Sequence, residues 1–199
     1  MFYEPKGGHG LPHDPFKAIV APRPIGWIST LDGAGRVNLA PYSFFNAFSS
    51  DPPIVGFSSE GAKHSASNAR ATGAFVASLA TRRLAEQVNL TSAPLAAGAS
   101  EFAHAGLATA PSRLVAPPRV AESPAALECR VLQVVELADL AGKATGRLLV
   151  IGQVVGVHID DAYLADGLFD MTAAGTIARC GYRDYAEVTT LFQMTRPKG

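Results

Sequence analysis

Charge is the property that this sequence has least of. Charged residues make up 17% of the 199 residues, and 17 Lys and Arg balance 17 Asp and Glu, so the formal net charge is zero. Binding to nucleic acid requires a concentrated positive field, and no basic stripe of that kind is visible. Hydrophobic residues reach 48%, which excludes a disordered chain. The composition predicts a folded domain whose large neutral surface is buried against a second copy.

Cysteines and long apolar runs are also scarce. The two cysteines, Cys129 and Cys180, lack CxxC spacing, which predicts free thiols in a reducing cytoplasm. The most apolar stretch, residues 148–157, is interrupted by two glycines and a glutamine and is much too short to span a bilayer. Glu4 and Pro5 stand where a signal peptide would need basic residues and an apolar run. We therefore predict a cytoplasmic protein that does not bind membranes.

Several motifs of common enzyme classes are missing from the sequence. It contains no GxxxxGK[ST] phosphate loop, no GxGxxG dinucleotide motif, no GxSxG nucleophile elbow and no HExxH zinc helix. His9 and His13 are four residues apart, but Gly10 and Pro12 prevent the regular helix that would direct both toward one metal ion. No metal site is predicted, and we interpret His158 as structural.

Short apolar segments separated by glycine and proline dominate the chain. They are rich in Val, Ile and aromatic residues, which is typical of strands. Strands are expected at residues 25–31, 37–40, 54–58, 74–80, 127–137 and 147–159. Asp32-Gly33-Ala34-Gly35 offers the positive-φ positions of a hairpin turn, and Pro41 and Asp51-Pro52-Pro53 are expected to interrupt strands.

Helices are expected to be few and short, at residues 65–72, 82–90 and 101–105. Ser65 is the expected N-cap of the first helix, and Gly73 is its expected C-terminal stop. Residues 1–17 are rich in Gly, Pro and His and predict an irregular arm. Because the strands do not alternate with long helices, the pattern predicts a mainly β fold, an antiparallel barrel with short peripheral helices. We expect one domain over residues 1–199.

Residues 23–59 form the most informative block, RPIGWISTLDGAGRVNLAPYSFFNAFSSDPPIVGFSS. Hydroxyl and amide side chains beside apolar strands suit a flat ligand with a polar tail. The block resembles the flavin reductase-like family of FMN-binding split-barrel proteins. This resemblance implies a Greek-key split β-barrel, FMN as the cofactor, and a homodimer with the flavin near its interface.

FMN needs an apolar slot with hydrogen-bonding groups for its ring and short polar side chains for its ribityl chain. The resemblance assigns these contacts to Trp27, Ser29, Thr30, Ser43 and Asn46. The phenylalanines of the segment PYSFFNAF would build the apolar wall, although some of them suit the core as well. An alternative for the two hydroxyls of the first strand is that they merely flank a turn, and Trp27 could equally fill the core.

The phosphate of FMN needs hydroxyls, backbone N–H groups and a cation. Ser58 and Ser59 end a strand just before Lys63 and Ser65, which matches the family's arrangement of strand, loop, Lys-x-[Ser/Thr] and helix. The alternative is a capped surface helix with a solvated lysine. His64 stands where the family commonly has an acidic residue, so the local charge departs from the family pattern.

Two further segments carry the resemblance. Arg23 begins the RPIGWIST signature, and its place between two prolines also suits an ion pair or a subunit contact. Residues 177–182, IARCGY, resemble a segment that approaches the flavin in the family. By this resemblance Arg179 and Tyr182 lie on the nicotinamide or substrate side, and a structural tail is the alternative.

The function implied is that of an FMN-dependent oxidoreductase, an NAD(P)H-dependent flavin reductase that passes electrons to an acceptor or a partner monooxygenase. Hydride transfer from NAD(P)H to flavin requires no side-chain acid or base, which agrees with the missing catalytic triad. One alternative is a flavin-binding electron carrier or storage protein without a hydride-donor site. Another is a haem-binding barrel, for which His64 or His158 would have to be the axial ligand.

Overall fold

The structure, a computed structural model, describes residues 1–96 and 99–197. Residues 97 and 98, inside the predicted loop at 91–118, and residues 198 and 199, at the end of the predicted domain, lie outside the described residues. The strands are β1 (Arg23–Pro24), β2 (Gly26–Leu31), β3 (Val37–Tyr42), β4 (Phe45–Ser50), β5 (Pro53–Glu60), β6 (Ala74–Leu79), β7 (Thr109–Ala110), β8 (Arg119–Val120), β9 (Ala125–Ala138), β10 (Ala144–Ile159), β11 (Leu164–Ala165), β12 (Leu168–Phe169), β13 (Ile177–Arg179) and β14 (Tyr185–Glu187). The α-helices are α1 (Phe16–Ile19), α2 (His64–Thr72), α3 (Ala85–Leu90) and α4 (Glu101–His104), and single 3₁₀ turns cover Pro5–Gly7, Arg82–Leu84 and Asp161–Tyr163.

The main sheet is antiparallel and has the strand order β3-β2-β6-β9-β10-β5-β4. β9 and β10 form its long central hairpin. β5 pairs with β10 on one side of that hairpin, and the chain then returns through α2 to β6 on the other side. This return gives the Greek-key order β6-β9-β10-β5. The expectation of a mainly β, antiparallel fold with short helices is confirmed.

A smaller sheet joins the two ends of the chain. Its strand order is β1-β13-β14, and Arg23 pairs in register with Arg179. β1, which follows the N-terminal arm, therefore lies beside the C-terminal hairpin formed by β13 and β14, although more than 150 residues separate Arg23 from Arg179 in sequence. The sequence did not indicate β1, because two residues carry no recognisable period.

Three local expectations were wrong, each for a physical reason. Pro41 does not interrupt its strand, because β3 lies at the edge of the sheet, where a missing N–H is tolerated. β4 was not expected, because its residues FNAFSS lack the apolar run of a buried strand and it too is an edge strand. Ser65 is not the N-cap of α2: that residue is Lys63, and the buried Ser65 hydroxyl accepts a hydrogen bond from Asn38 Nδ2 at 2.8 Å.

Two hydrophobic clusters pack on opposite faces of the sheet. Ile28 belongs to one cluster with Phe57, Phe75 and Val150, and its neighbour Trp27 belongs to the other. Successive side chains of a strand point to opposite faces, so β2 contributes to both. The cluster that contains Trp27 is covered by α3, α4 and the segment around Val120. No helix of the described residues is long and apolar enough to cross a membrane.

Candidate functional site

An open groove of about 510 Å³ runs between residues 19–24, which follow the N-terminal arm, and the edge of the main sheet. We call it the arm groove. It is lined by Ile19, Val20, Ala21, Pro22, Arg23, Pro24, Ser43, Phe44, Phe45, Asn46, Phe48, Ser58 and Leu149. Its size falls within the range of small-molecule sites, and its wall combines aromatic rings with a few polar groups, as such sites do.

Two glycines make room for the aromatic wall. A Cβ atom at Gly26 would lie 2.5 Å from the Phe45 ring, and one at Gly56 would lie 2.7 Å from the Phe48 ring. Any larger residue at these positions would push the rings outward. Phe44 directly precedes β4 and Phe48 lies in this edge strand, and the two side chains keep 45% and 57% of their surface exposed. The groove thus presents apolar ring surface that the chain itself does not cover.

Arg23 is part of the wall of the arm groove, at the end formed by residues 19–24. Its Nη1 donates to the carbonyls of Lys17 and Val20, and its Nη2 donates to the carbonyl of Cys180 at 2.9 Å. The guanidinium carbon lies 5.7 Å from the centre of the Phe44 ring. Arg23 therefore joins α1, the C-terminal hairpin and the aromatic wall.

Three predicted binding residues meet in this groove. Ser43, Asn46 and Ser58 line it, and the Ser58 backbone N–H donates to the Phe44 carbonyl at 2.8 Å. The Asn46 side-chain oxygen accepts from the N–H of Ala47 at 2.9 Å, so its amide nitrogen stays available for another partner. Hydroxyls and an amide beside aromatic rings can hydrogen-bond the edge of a flat ligand.

Five other predicted binding residues do not line the groove. Trp27, Ser29, Thr30, Ser59 and Ser65 are all buried, at 1% exposure or less. Their polar atoms have partners inside the chain: the indole N–H donates to Thr91 at 2.8 Å, and the four hydroxyls bond to the Pro118 carbonyl, the Asn68 amide, the Gly61 carbonyl and the Asn38 amide respectively. Small hydroxyls suit such internal bonds as well as a ligand, and sequence does not separate the two. Ligand contact by these five side chains stays a prediction.

Lys63 lies at the start of α2, five residues after Ser58, which lines the groove from β5. Its side chain is exposed and forms no hydrogen bond or ion pair with the described residues. The first turn of α2 contains no acidic residue, so nothing on this helix opposes a negative ligand there. His64 is exposed beside it.

Arg179 and Tyr182 lie in the C-terminal hairpin. The Arg179 guanidinium stacks over the Tyr185 ring at 4.5 Å and donates to the Tyr182 carbonyl at 2.7 Å. Tyr182 is 51% exposed and has a positive φ of 54°. The backbone pairing of Arg179 with Arg23 puts this hairpin at the border of the arm groove.

Sequence reasoning missed a buried carboxylate on the far side of the sheet. Glu128 is 1% exposed and accepts from the N–H groups of Arg113, Leu114 and Val115 at 2.6–3.0 Å, and from His158 Nε2. Burial raises the pKa of this carboxyl, but these donors outweigh burial and hold the pKa below its ordinary value of 4.5. The available signal was a charged Glu128 in β9 directly beside the apolar residues Leu127 and Cys129. Glu128 fastens the loop at residues 113–115 to β9.

A second hollow of about 510 Å³ lies between α3 and β14, and we call it the α3 hollow. Its lining includes Arg82, Asn89 and Tyr185 but none of the predicted binding residues. In residues 1–96 and 99–197, no group of three or more His, Cys, Asp and Glu side chains is placed to hold a metal ion. The arm groove is therefore the site at which the sequence expectations and the geometry coincide.

Comparisons with known proteins agree on one family. Residues 20–174 match the model of the flavin reductase like domain. An uncharacterised protein of Halalkalibacterium halodurans is 36% identical over 183 residues, which cover 89% of this chain and 87% of the relative.

Solved structures are similar over nearly the whole chain. Nitrilotriacetate monooxygenase component B from Bacillus cereus has a TM-score of 0.87 at 25% identity, and 98% of each chain is covered. A putative flavin reductase with split barrel domain from Shewanella frigidimarina has a TM-score of 0.82 at 26% identity, covering 92% of this chain and 90% of that one. The expected split-barrel fold is thereby confirmed.

Proposed function

Because the chain belongs to the flavin reductase-like family, we propose that it binds FMN in the arm groove and acts as an NAD(P)H-dependent flavin oxidoreductase. The observation that carries this proposal is the meeting of exposed aromatic rings with Ser43, Asn46 and Ser58 in one groove. A flat heteroaromatic ring with polar edges fits this combination. We propose further that residues 1–199 act as one flavin-binding domain.

The chain's own residues bind and orient rather than donate or accept protons. Phe44 and Phe48 contact the ring and exclude water from one of its faces. Ser43 and Asn46 hydrogen-bond the polar edge, and Ser58 does so for the polar chain. When bound, FMN would supply the ring that accepts hydride from NAD(P)H. Positioning of this kind contributes to rate without a side-chain acid or base.

The phosphate is assigned to the start of α2. Lys63 supplies a positive charge, and the first N–H groups of the helix point toward the same region. The hydroxyls of Ser59 and Ser65 already have partners in the chain, so Lys63 and these backbone N–H groups carry the contact. This arrangement favours FMN over riboflavin, which lacks the phosphate.

Arg179 and Tyr182 are assigned to the donor side. The backbone pairing of Arg179 with Arg23, which lines the arm groove, supports this assignment, and Tyr182 is exposed in the same hairpin. Both side chains suit the nicotinamide end or the phosphates of NAD(P)H. The acceptor would be a partner monooxygenase or another electron acceptor, which the 25% identity to a monooxygenase component supports.

We propose a homodimer as the working form. After the N–H of Val188, which donates to the Thr176 carbonyl, no backbone hydrogen bond joins residues 189–197 to the rest of the described chain. This C-terminal tail exposes Leu191, Phe192 and Met194 at 59%, 85% and 85%. Large apolar side chains that the chain itself leaves exposed are stabilised by burial against a second copy.

The reductase and the electron carrier are separated by one kinetic test. Purified protein saturated with FMN is mixed with NADH or with NADPH, and the absorbance of the reduced nicotinamide is followed at steady state. A reductase oxidises one of the two donors repeatedly in the presence of oxygen. Flavin binding without any turnover would leave the electron carrier or storage protein as the function.

A further inference from the structure

We propose that Arg23 is an electrostatic residue of the arm groove, whose positive charge favours the reduced over the oxidised form of the bound flavin. This inference rests on the FMN binding proposed above and adds to it a residue that sets the redox balance. It follows from the burial of Arg23, from its partners and from the charge that accompanies hydride transfer.

Arg23 is buried to an extent that is unusual for a charged residue. Only 7% of its surface is exposed, although it lines the wall of the arm groove. The Phe44 ring covers the guanidinium at 5.7 Å. A charge removed from water in this way acts on neighbouring groups through a medium that screens it weakly.

The partners of Arg23 leave its charge uncompensated. All three of its hydrogen bonds are to neutral carbonyls, those of Lys17, Val20 and Cys180. None of the ion pairs within residues 1–96 and 99–197 involves Arg23. A guanidinium has five N–H donors, so two remain, and one of them, the buried Nε, has no partner.

The hydrogen bonds of Arg23 have a structural role, but they do not require its full charge. Three carbonyls need donors only, and burying an unpaired charge costs free energy that a neutral amide would avoid. The carbonyl dipoles and the Phe44 ring stabilise the guanidinium in part. A negative charge that arrives beside it would supply the missing counter-charge.

Hydride transfer brings that negative charge. A hydride carries two electrons and one proton, so a bound flavin ring would gain one negative charge while NAD(P)H would become NAD(P)⁺. That charge would persist until a further proton is taken up. A fixed, desolvated cation in the groove wall stabilises the charged product and leaves the neutral oxidised ring little affected.

The test compares the affinities of the two flavin states. Dissociation constants of oxidised FMN and, without oxygen, of reduced FMN are measured for the wild type, Arg23→Gln, Arg23→Lys and Arg183→Gln. Arg183 is an exposed arginine of the same C-terminal hairpin and serves as the matched control. We expect Arg23→Gln to lower the preference for reduced FMN about tenfold, which is about 30 mV for a two-electron couple.

Arg23→Lys separates charge from shape. Lysine keeps the charge but lacks the fork that holds three carbonyls, so the redox preference should be retained while proteolysis near residues 16–20 becomes faster. An unchanged preference in Arg23→Gln, or its loss in Arg23→Lys, would overturn the proposal. If Arg23→Gln does not fold, loss of the preference in Arg23→Lys still overturns the proposal. Wild-type protein that binds neither flavin state would instead refute the proposed function.

Discussion

Glu128 and Cys129 are neighbours on β9 and show how alternate faces of one strand impose different chemistry. Glu128 points to the face covered by the loop at residues 113–115, where three N–H groups surround it. Cys129 points into the opposite cluster and is fully buried. Burial, and then the charge of Glu128, raise the pKa of the Cys129 thiol to about 12. Cys129 therefore leads to a prediction about thiol reactivity, and Glu128 leads to a prediction about stability.

The thiol of Cys129 is predicted to be inert in the native protein. At pH 8 only about one thiol in 10⁴ with this pKa is ionised, and the thiolate is the reactive form. A chromogenic disulfide reagent should therefore label Cys180, which is half-buried, and should leave Cys129 unlabelled until urea is added. Cys180→Ser should abolish native labelling. Native labelling of that variant at one equivalent would contradict the burial of Cys129.

Glu128→Gln is predicted to destabilise the protein by about 1–3 kcal/mol at pH 7, because an amide replaces a charged acceptor in a buried site. The folded-state pKa of Glu128 lies below its unfolded value, so its stabilisation is complete above about pH 4.5 and is lost as pH falls through the lower, folded-state pKa.

Urea unfolding at several pH values measures this effect. The difference between wild type and Glu128→Gln should be largest near neutral pH and should shrink below about pH 4.5. Glu136→Gln, at an exposed position of the same strand, is the matched control and should change little. Equal losses for both variants would mean that the loop bonds do not depend on the Glu128 charge.

At the scale of elements, sequence predicts the strands that are buried and continuous. β9 and β10 were expected because Val, Leu and Ile fill them, and α2 ends at Gly73, whose φ of 72° favours glycine. β4 was not expected, because an edge strand needs no apolar pattern.

The site residues likewise fall into those that sequence predicts and those that it does not. Ser43 and Ser58 were found through a familiar motif, whereas the internal bond of Ser29 depends on Pro118, whose approach no local pattern shows.

The start of α2 carries the phosphate prediction. Lys63→Ala should weaken FMN binding about fivefold and leave riboflavin binding nearly unchanged, because an exposed ion pair contributes modestly and acts only on the phosphate. Lys143→Ala, an exposed lysine in the turn between β9 and β10, is the matched control. Titration of both flavins by fluorescence measures the affinities of the wild type and of the two variants. Similar losses for FMN and riboflavin would refute the phosphate role.

At the scale of the whole molecule, residues 19–24 and the edge of the main sheet form one groove, and the C-terminal hairpin packs against its wall at Arg23. A Cβ at Gly181 would lie 2.4 Å from Ala18 Cβ, so α1 packs directly against the hairpin. Arg23 fastens the same two segments. After this junction the C-terminal tail at residues 189–197 leaves the side chains of Leu191, Phe192 and Met194 exposed. This exposure leads to a prediction about assembly.

Removing residues 189–199 should raise the dissociation constant of the dimer at least tenfold, because three large apolar side chains each contribute about 1.5–3 kcal/mol when buried. Removing only residues 195–199 keeps those side chains and is the matched control. Sedimentation equilibrium over a range of concentrations measures both. Unchanged dimerisation after the longer deletion would show that the tail does not form the interface.

The central claim is that the arm groove holds the flavin ring. A crystal structure of the protein with FMN tests it most directly. We predict that the ring contacts Phe44 and Phe48, with Ser58 along the polar chain and Lys63 at the phosphate. A ring bound in the α3 hollow, against Asn89 and Tyr185, would contradict the account.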